Sequence, residues 1–363
     1  MIEYKNPKLL INKSNFQAGE ICWRSPSNIA IIKYWGKHEL QLPRNPSFSF
    51  TLNNAHTFTC LAYNLKETKG ISFELIFEGK ENTSFHPKIF KFFEQVVEIY
   101  PFIEQLHFRI ETENTFPHSA GIASSASAMS ALSLCLCTLE RKLFNTLLNQ
   151  KEFLQKASYL SRIGSGSACR SVYPTAALWG ETNSISESSN LFAIPFKDEI
   201  HKVFHTYHDD ILIVSKIEKS VPSSAGHDLM EGNIYAMNRY QQAKDRLNAL
   251  LKALKEGDLV SFGTICEAEA LTLHALMMTS NPSYLLLKPS TLSIIEEIRN
   301  FRTETSIPVY FTLDAGPNVH LLYPDEFKEI ISEFITQKLL FYCIDQKYIQ
   351  DIIGEGPSLA SDS

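Results

Sequence analysis

Residues 117–127 read Pro117-His118-Ser119-Ala120-Gly121-Ile122-Ala123-Ser124-Ser125-Ala126-Ser127, a glycine and serine turn running straight into a helical segment. Such a junction presents unpaired backbone N–H groups and the positive end of a helix to an anion, with hydroxyls at hand for phosphate oxygens or a magnesium ion. A triphosphate suits it. A serine-rich N-cap with small residues chosen for packing accounts for this stretch equally well when it stands alone. No G-x-x-x-x-G-K-[ST] pattern occurs in the chain, which excludes a Walker-type loop as the nucleotide site.

The surrounding residues 114–139 contain no Asp, Glu, Lys or Arg. They do not make a membrane span, because Pro117, Gly121 and a series of serines interrupt the roughly 20 apolar residues that spanning needs. From Ser124 the segment is expected to form a helix packed on a sheet, its small side chains permitting close approach. Upstream, 29–35 reads as a buried strand and 47–62 alternates with period two, so the chain begins β-rich. Helical spacing marks 88–99, 150–162, 228–254, 259–278 and 292–302, with short strands expected at 107–111, 176–179, 211–216, 308–313 and 319–323. Residues 354–363, rich in Gly, Pro and Ser, are expected to fray.

At 363 residues the chain is long enough for two domains. Hydrophobic residues at 44% and charged residues at 20% are those of a globular protein. A net charge of -6 argues against nucleic acid as a partner. The cysteines are odd in number, scattered and without a CxxC pair, which reads as reduced thiols in the cytosol. The N-terminus offers no apolar signal segment, so a cytoplasmic location is expected.

Three further clusters carry chemistry. Gly164-Ser165-Gly166-Ser167-Ala168-Cys169-Arg170-Ser171 lets backbone approach a ligand and follows it with a guanidinium that can fork onto carboxylate or phosphate, although a flexible turn with a surface arginine is the commoner origin of such a run. In Asn28-Ile29-Ala30-Ile31-Ile32-Lys33-Tyr34-Trp35-Gly36-Lys37, the two lysines either snorkel from a sheet edge or face negative charge. Asp314-Ala315-Gly316-Pro317-Asn318 is a tight turn that can place one carboxylate in a cleft, or simply an Asp-initiated turn.

Together, and in this order over about residues 24–323, these motifs resemble the diphosphomevalonate decarboxylase family, within the larger group of galactose, homoserine, mevalonate and phosphomevalonate (GHMP) kinases. The resemblance implies an α+β fold of two domains: residues 1–206 like the second domain of ribosomal protein S5, and 207–363 ferredoxin-like. It implies ATP and magnesium as cofactors, mevalonate 5-diphosphate as substrate, and a homodimer. By the same resemblance Asp314 faces the substrate's tertiary hydroxyl, Lys33 supports Asp314, and Arg170 with Asn28 holds the substrate carboxylate. Tyr34, Lys37, Ser165, Gly166, Ser167 and Ser224 are implied around the substrate phosphates. Ser119, Gly121, Ala123, Ser124, Ser125 and Ser127 are implied at the nucleotide, with Ser125 at magnesium. Ala225 stands where several bacterial relatives carry arginine, and His274 reads as core.

Two rivals stand beside this expectation. One is a kinase that phosphorylates the tertiary hydroxyl of mevalonate or its monophosphate and stops, or a decarboxylase preferring the monophosphate; Asp314, Lys33 and Arg170 together favour the full reaction. The other is a non-catalytic metabolite sensor on the same fold. A buried Asp and Lys without a ligand would be costly, which argues against the sensor.

Overall fold

A computed structural model describes residues 4–117, 122–217 and 221–362. Strands β1 (Gly19–Ile32) and β4 (Ser47–Leu65) run antiparallel over most of their length, from Gly19 opposite Tyr63 to Ile32 opposite Phe48. Between them β2 (Lys37–His38) and β3 (Leu42–Pro43) form a small hairpin. β5 (Phe73–Phe77), β6 (Lys80–Glu81) and β7 (Leu106–Asn114) extend the sheet from the far half of β4. β8 (Ala176–Trp179) and β9 (Ala193–Pro195) extend it from the near half.

Helices α1 (His86–Val96), α2 (Ser124–Phe144) and α3 (Gln150–Gly164) share one core with this sheet. The serines of α2 are what let it lie close. Ser127 and Thr57 hydroxyls bond at 2.6 Å, Ser130 bonds Ser25, and Trp23 Nε1 donates to Thr138 at 2.9 Å. The uncharged segment is therefore a helix pressed on a sheet, as its composition predicts.

The second sheet has the order β11, β12, β10, β13, built from β10 (His208–Leu212), β11 (Tyr310–Thr312), β12 (Val319–Tyr323) and β13 (Tyr348–Ile349). With it go α4 (Ser223–Asp228), α5 (Ala236–Glu256), α6 (Leu259–Met278), α7 (Pro289–Thr305) and α8 (Lys328–Phe334). The helix predicted over 228–254 starts only at Ala236, after a turn over 229–235 in which Gly232 takes a φ of 84°. α6 is long and apolar enough to cross a membrane, yet Glu267 and Glu269 lie on it and each binds two arginines within the fold. A further core joins the two parts, with Phe48 and Phe50 of β4 sharing one cluster with Leu247 and Phe262 of α5 and α6.

Two expectations are corrected. Residues 358–362 do not fray: they form β14 (Ser358–Asp362), which pairs with β1 and so belongs to the first sheet. The outer side of β1 would otherwise be an unpaired edge, and the returning strand covers it. Nor are all thiols reduced. Cys22 and Cys60 sit directly opposite each other on β1 and β4 and are joined as a disulfide, a juxtaposition that sequence distance conceals. The other cysteines are free and buried.

Candidate active site

β1 ends at Ile32, and the chain then turns inward. Lys33 is 1% exposed, its Nζ donating to Ala30 C=O at 2.5 Å. Burial drives its pKa down to about 8, against the opposing pull of Asp314, Cys266, Glu269 and Asp209. Arg170 rises from the 3-10 turn that follows α3 and is 2% exposed. Its Nε and Nη2 bond Asn28 Oδ1 at 3.3 and 3.2 Å, and Nη1 bonds Ser47 Oγ at 2.7 Å. Asn28 is fixed in turn, its Nδ2 donating to Ser171 Oγ at 2.7 Å. Burial lowers the Arg170 pKa as well. Among the described residues neither cation has a carboxylate within ion-pair distance, although buried charges ordinarily pair. Two such cations on one wall make an anion site.

Asp314 comes from the turn between β11 and β12, and that turn is tied down on several sides. Asn318 Oδ1 accepts from Val214 and Ser215 N–H at 2.8 and 3.0 Å. Thr291 Oγ1 donates to Pro317 C=O at 2.7 Å. His274, read from sequence as core, is buried on α6 and its Nε2–H donates to Asp314 C=O at 3.1 Å. Burial holds its pKa near 4, so it is the neutral tautomer that makes this bond. Leu273-His274-Ala275 is the signal in the sequence, but nothing there says what His274 touches.

A cavity of about 760 Å³ collects Asn28, Lys33, Tyr34, Lys37, Ala123, Ser124, Ser125, Ser165, Gly166, Ser167, Arg170, Ser224 and Asp314. Gly166 is required there, since a Cβ would stand 2.7 Å from the Tyr34 hydroxyl. Lys37 Nζ lies 3.4 Å from Asp228, and His227 Nδ1 accepts from Gly36 N–H at 3.0 Å beside the rings of Tyr34 and Trp35. Cys169 in the same motif is no nucleophile: it is fully buried, and burial raises its pKa to about 12.

Two parts of the sequence reading differ. Ser119 and Gly121 lie outside the described residues. Ser127 is not on the cavity wall; it is 0% exposed, facing β4 through Thr57, because it stands on the sheet side of α2. The sequence also missed a wall of the cavity made by Leu75, Phe77, Phe85, Ile89 and Phe92, an apolar slot opening beside the start of α2. It lacks a motif of its own.

The donor set fits a magnesium nucleotide. α2 is a 21-residue helix with no acidic residue in its first turn, so its positive end faces the cavity uncancelled. Half-buried Ser124 and exposed Ser125 offer hydroxyls of the hard kind that suit phosphate oxygens and magnesium. The apolar side chains of Leu75, Phe77, Phe85, Ile89 and Phe92 in the same cavity suit a planar base.

A two-domain α+β fold whose cavity brings the start of a helix together with a half-buried Asp and a buried Lys and Arg defines a protein of the GHMP class. Residues 25–190 match the diphosphomevalonate decarboxylase-like N-terminal domain, and residues 210–356 the mevalonate 5-diphosphate decarboxylase C-terminal domain. The chain belongs to the diphosphomevalonate decarboxylase family. It is 27% identical to diphosphomevalonate decarboxylase of Candida albicans over 369 residues, spanning 93% of this chain and 97% of the relative. Mevalonate diphosphate decarboxylase of Staphylococcus aureus superposes with a TM-score of 0.80 at 28% identity, over 95% of this chain and 99% of the other. A structure of MDDEF in complex with MVAPP, AMPPCP and magnesium gives a TM-score of 0.80 at 26% identity, over 94% and 99%.

Proposed function

We propose that this protein carries out the ATP-dependent decarboxylation of mevalonate 5-diphosphate to isopentenyl diphosphate, carbon dioxide, ADP and inorganic phosphate. The carrying observation is the cavity that joins two buried cations, neither with a carboxylate at ion-pair distance among the described residues, and one tethered carboxylate to the start of α2. The structural relative holding MVAPP, AMPPCP and magnesium supports the same pair of ligands here.

Asp314 takes the proton of the tertiary hydroxyl as that oxygen accepts the terminal phosphoryl group of ATP. His274, Thr291 and the Asn318 clamp hold the turn so that the carboxylate does not follow the substrate. The phosphorylated oxygen then leaves as phosphate. The C–C electron pair of the carboxylate becomes the new double bond, and carbon dioxide departs. Asp314 hands the proton it took to the departing phosphate and, as a carboxylate again with the Lys33 ammonium facing it, stabilises the positive charge that develops at the tertiary carbon. Arg170, oriented by Asn28, grips the carboxylate through its Nη atoms. Tyr34, Lys37, Ser165, Gly166, Ser167 and Ser224 surround the diphosphate. Ser124 and Ser125 would hold the nucleotide phosphates, and the Ser125 hydroxyl would serve the magnesium ion. The ion supplies charge neutralisation for the phosphoryl group in flight.

We divide the chain into residues 1–206 and 207–363, a division supported by the two sheets but crossed by β14. A homodimer in the cytoplasm is proposed from the family likeness. The test of function is stoichiometry: purified protein with ATP, magnesium and mevalonate 5-diphosphate should yield ADP, phosphate and carbon dioxide one for one. ADP without carbon dioxide would make it the kinase, and no turnover would make it the sensor. The monophosphate, run beside it, should turn over far more slowly.

A further inference from the structure

Where β1 ends, the peptide groups of Lys33 need partners from outside the sheet. Side chains supply them. Glu269 Oε2 accepts the Lys33 N–H at 2.9 Å, while Lys33 C=O accepts from Asn45 Nδ2 at 3.0 Å and Arg239 Nη2 at 3.3 Å. Arg239 also forks onto Glu269 at 2.6 and 2.8 Å, and Arg246 Nη1 reaches the same carboxylate at 2.9 Å. Glu269 is 0% exposed and Arg239 2%. One carboxylate and two guanidiniums from α5 and α6 therefore gather around the two peptides that flank Lys33, just past the end of β1.

Stability is a poor explanation for this cluster. Desolvating three charges costs several kcal/mol each, and apolar residues of similar volume often serve as well or better. What the cluster does provide is direction: the N–H and C=O of Lys33 are both gripped, so the two peptide planes that flank its Cα are held and the side chain leaves in a fixed direction.

We infer that Glu269, held by Arg239 and Arg246, is the positioning residue for Lys33, fixing the peptide from which the ammonium reaches Asp314. It touches no substrate. The grip runs from the helices of the second part to the residue just past the end of a strand of the first, so it also couples their packing to the place of the ammonium. The inference rests on the role given to Lys33 above. The ammonium faces Asp314 from the β11–β12 turn, Cys266 and Glu269 from α6, and Asp209 from β10. With His274 kept neutral by burial, Glu269 is the anion that faces the Lys33 ammonium and also accepts its backbone N–H.

The experiment is a cycle of Glu269→Gln, Lys33→Met and the double variant, read as kcat by a radiometric carbon dioxide assay, with KM for both substrates. Glu269→Gln should lower kcat about 10- to 100-fold, leave KM for ATP within about twofold, and move the alkaline limb of kcat to lower pH. In the Lys33→Met background the same change should cost less than about twofold. A full loss repeated in that background would overturn the inference and leave the role of Lys33 standing. Wild-type turnover by Lys33→Met alone would overturn both. Should Glu269→Gln fail to fold, Arg246→Met, at a part-exposed position, removes one guanidinium and should give a weaker loss with the same non-additivity.

Discussion

On the function proposed above, the two ends of the cleft are built on opposite plans. At the substrate end Lys33 and Arg170 are 1% and 2% exposed, and the groups around them are locked by Asn28, Ser47, Ser171 and the tethered Asp314 turn. At the nucleotide end Ser124 is half-buried and Ser125 exposed, at a helix start preceded by Ala123 in a left-handed conformation with a φ of 50°. Electrostatic stabilisation of a transition state needs charges that do not move during the reaction, which the buried end provides. A nucleotide that enters and leaves on every turnover is served by a helix end open to solvent. Substitutions at the first end should therefore appear in kcat, and at the second in KM for ATP.

That contrast can be broken at several points. Arg170→Gln should carry the largest effect, a loss of about 100- to 1000-fold in carbon dioxide release with KM for ATP within about threefold, since it strands a buried carboxylate of the substrate. A rise in KM for ATP of the same size would mean that the two ends are not separate. Next comes pH. The Lys33 pKa is lowered, so its charge is complete below about pH 8 and lost above it; kcat should fall about tenfold per pH unit on the alkaline side. In Lys33→Arg that limb should move beyond the accessible range. Ser125→Ala should raise KM for ATP about tenfold, in line with one lost charge-assisted hydrogen bond, with little change in kcat. Ser127→Ala, two residues on and facing β4, should leave both parameters unchanged and lower stability by about 1 kcal/mol in urea denaturation.

Much of this was legible in the sequence because each motif sits at an element end. The Ser124 helix start, the Lys33 strand exit, the Arg170 turn and the Asp314 turn were each named from local pattern, and the fold brings all four into one cavity. Facing direction was not legible. Ser125 and Ser127 look alike in a row of serines, yet the turn of the helix sends one to the cavity and the other to the sheet. Contacts across long sequence distance were equally hidden. The Cys22 to Cys60 bond, the return of β14 to β1, and the grip of Glu269 on Lys33 all depend on which strands and helices become neighbours. The apolar slot over Phe77, Phe85 and Phe92 reads in sequence as ordinary core.

The most direct measurement is a single-turnover experiment on Asp314→Asn, saturated with magnesium ATP and mevalonate 5-diphosphate, following carbon dioxide by rapid quench while nucleotide binding is measured in parallel. Nucleotide affinity within about threefold of the parent, with carbon dioxide release slowed about 1000-fold or more, is the expected result. Release at the parent rate would remove Asp314 from the chemistry and with it the division of labour between the two ends of the cleft.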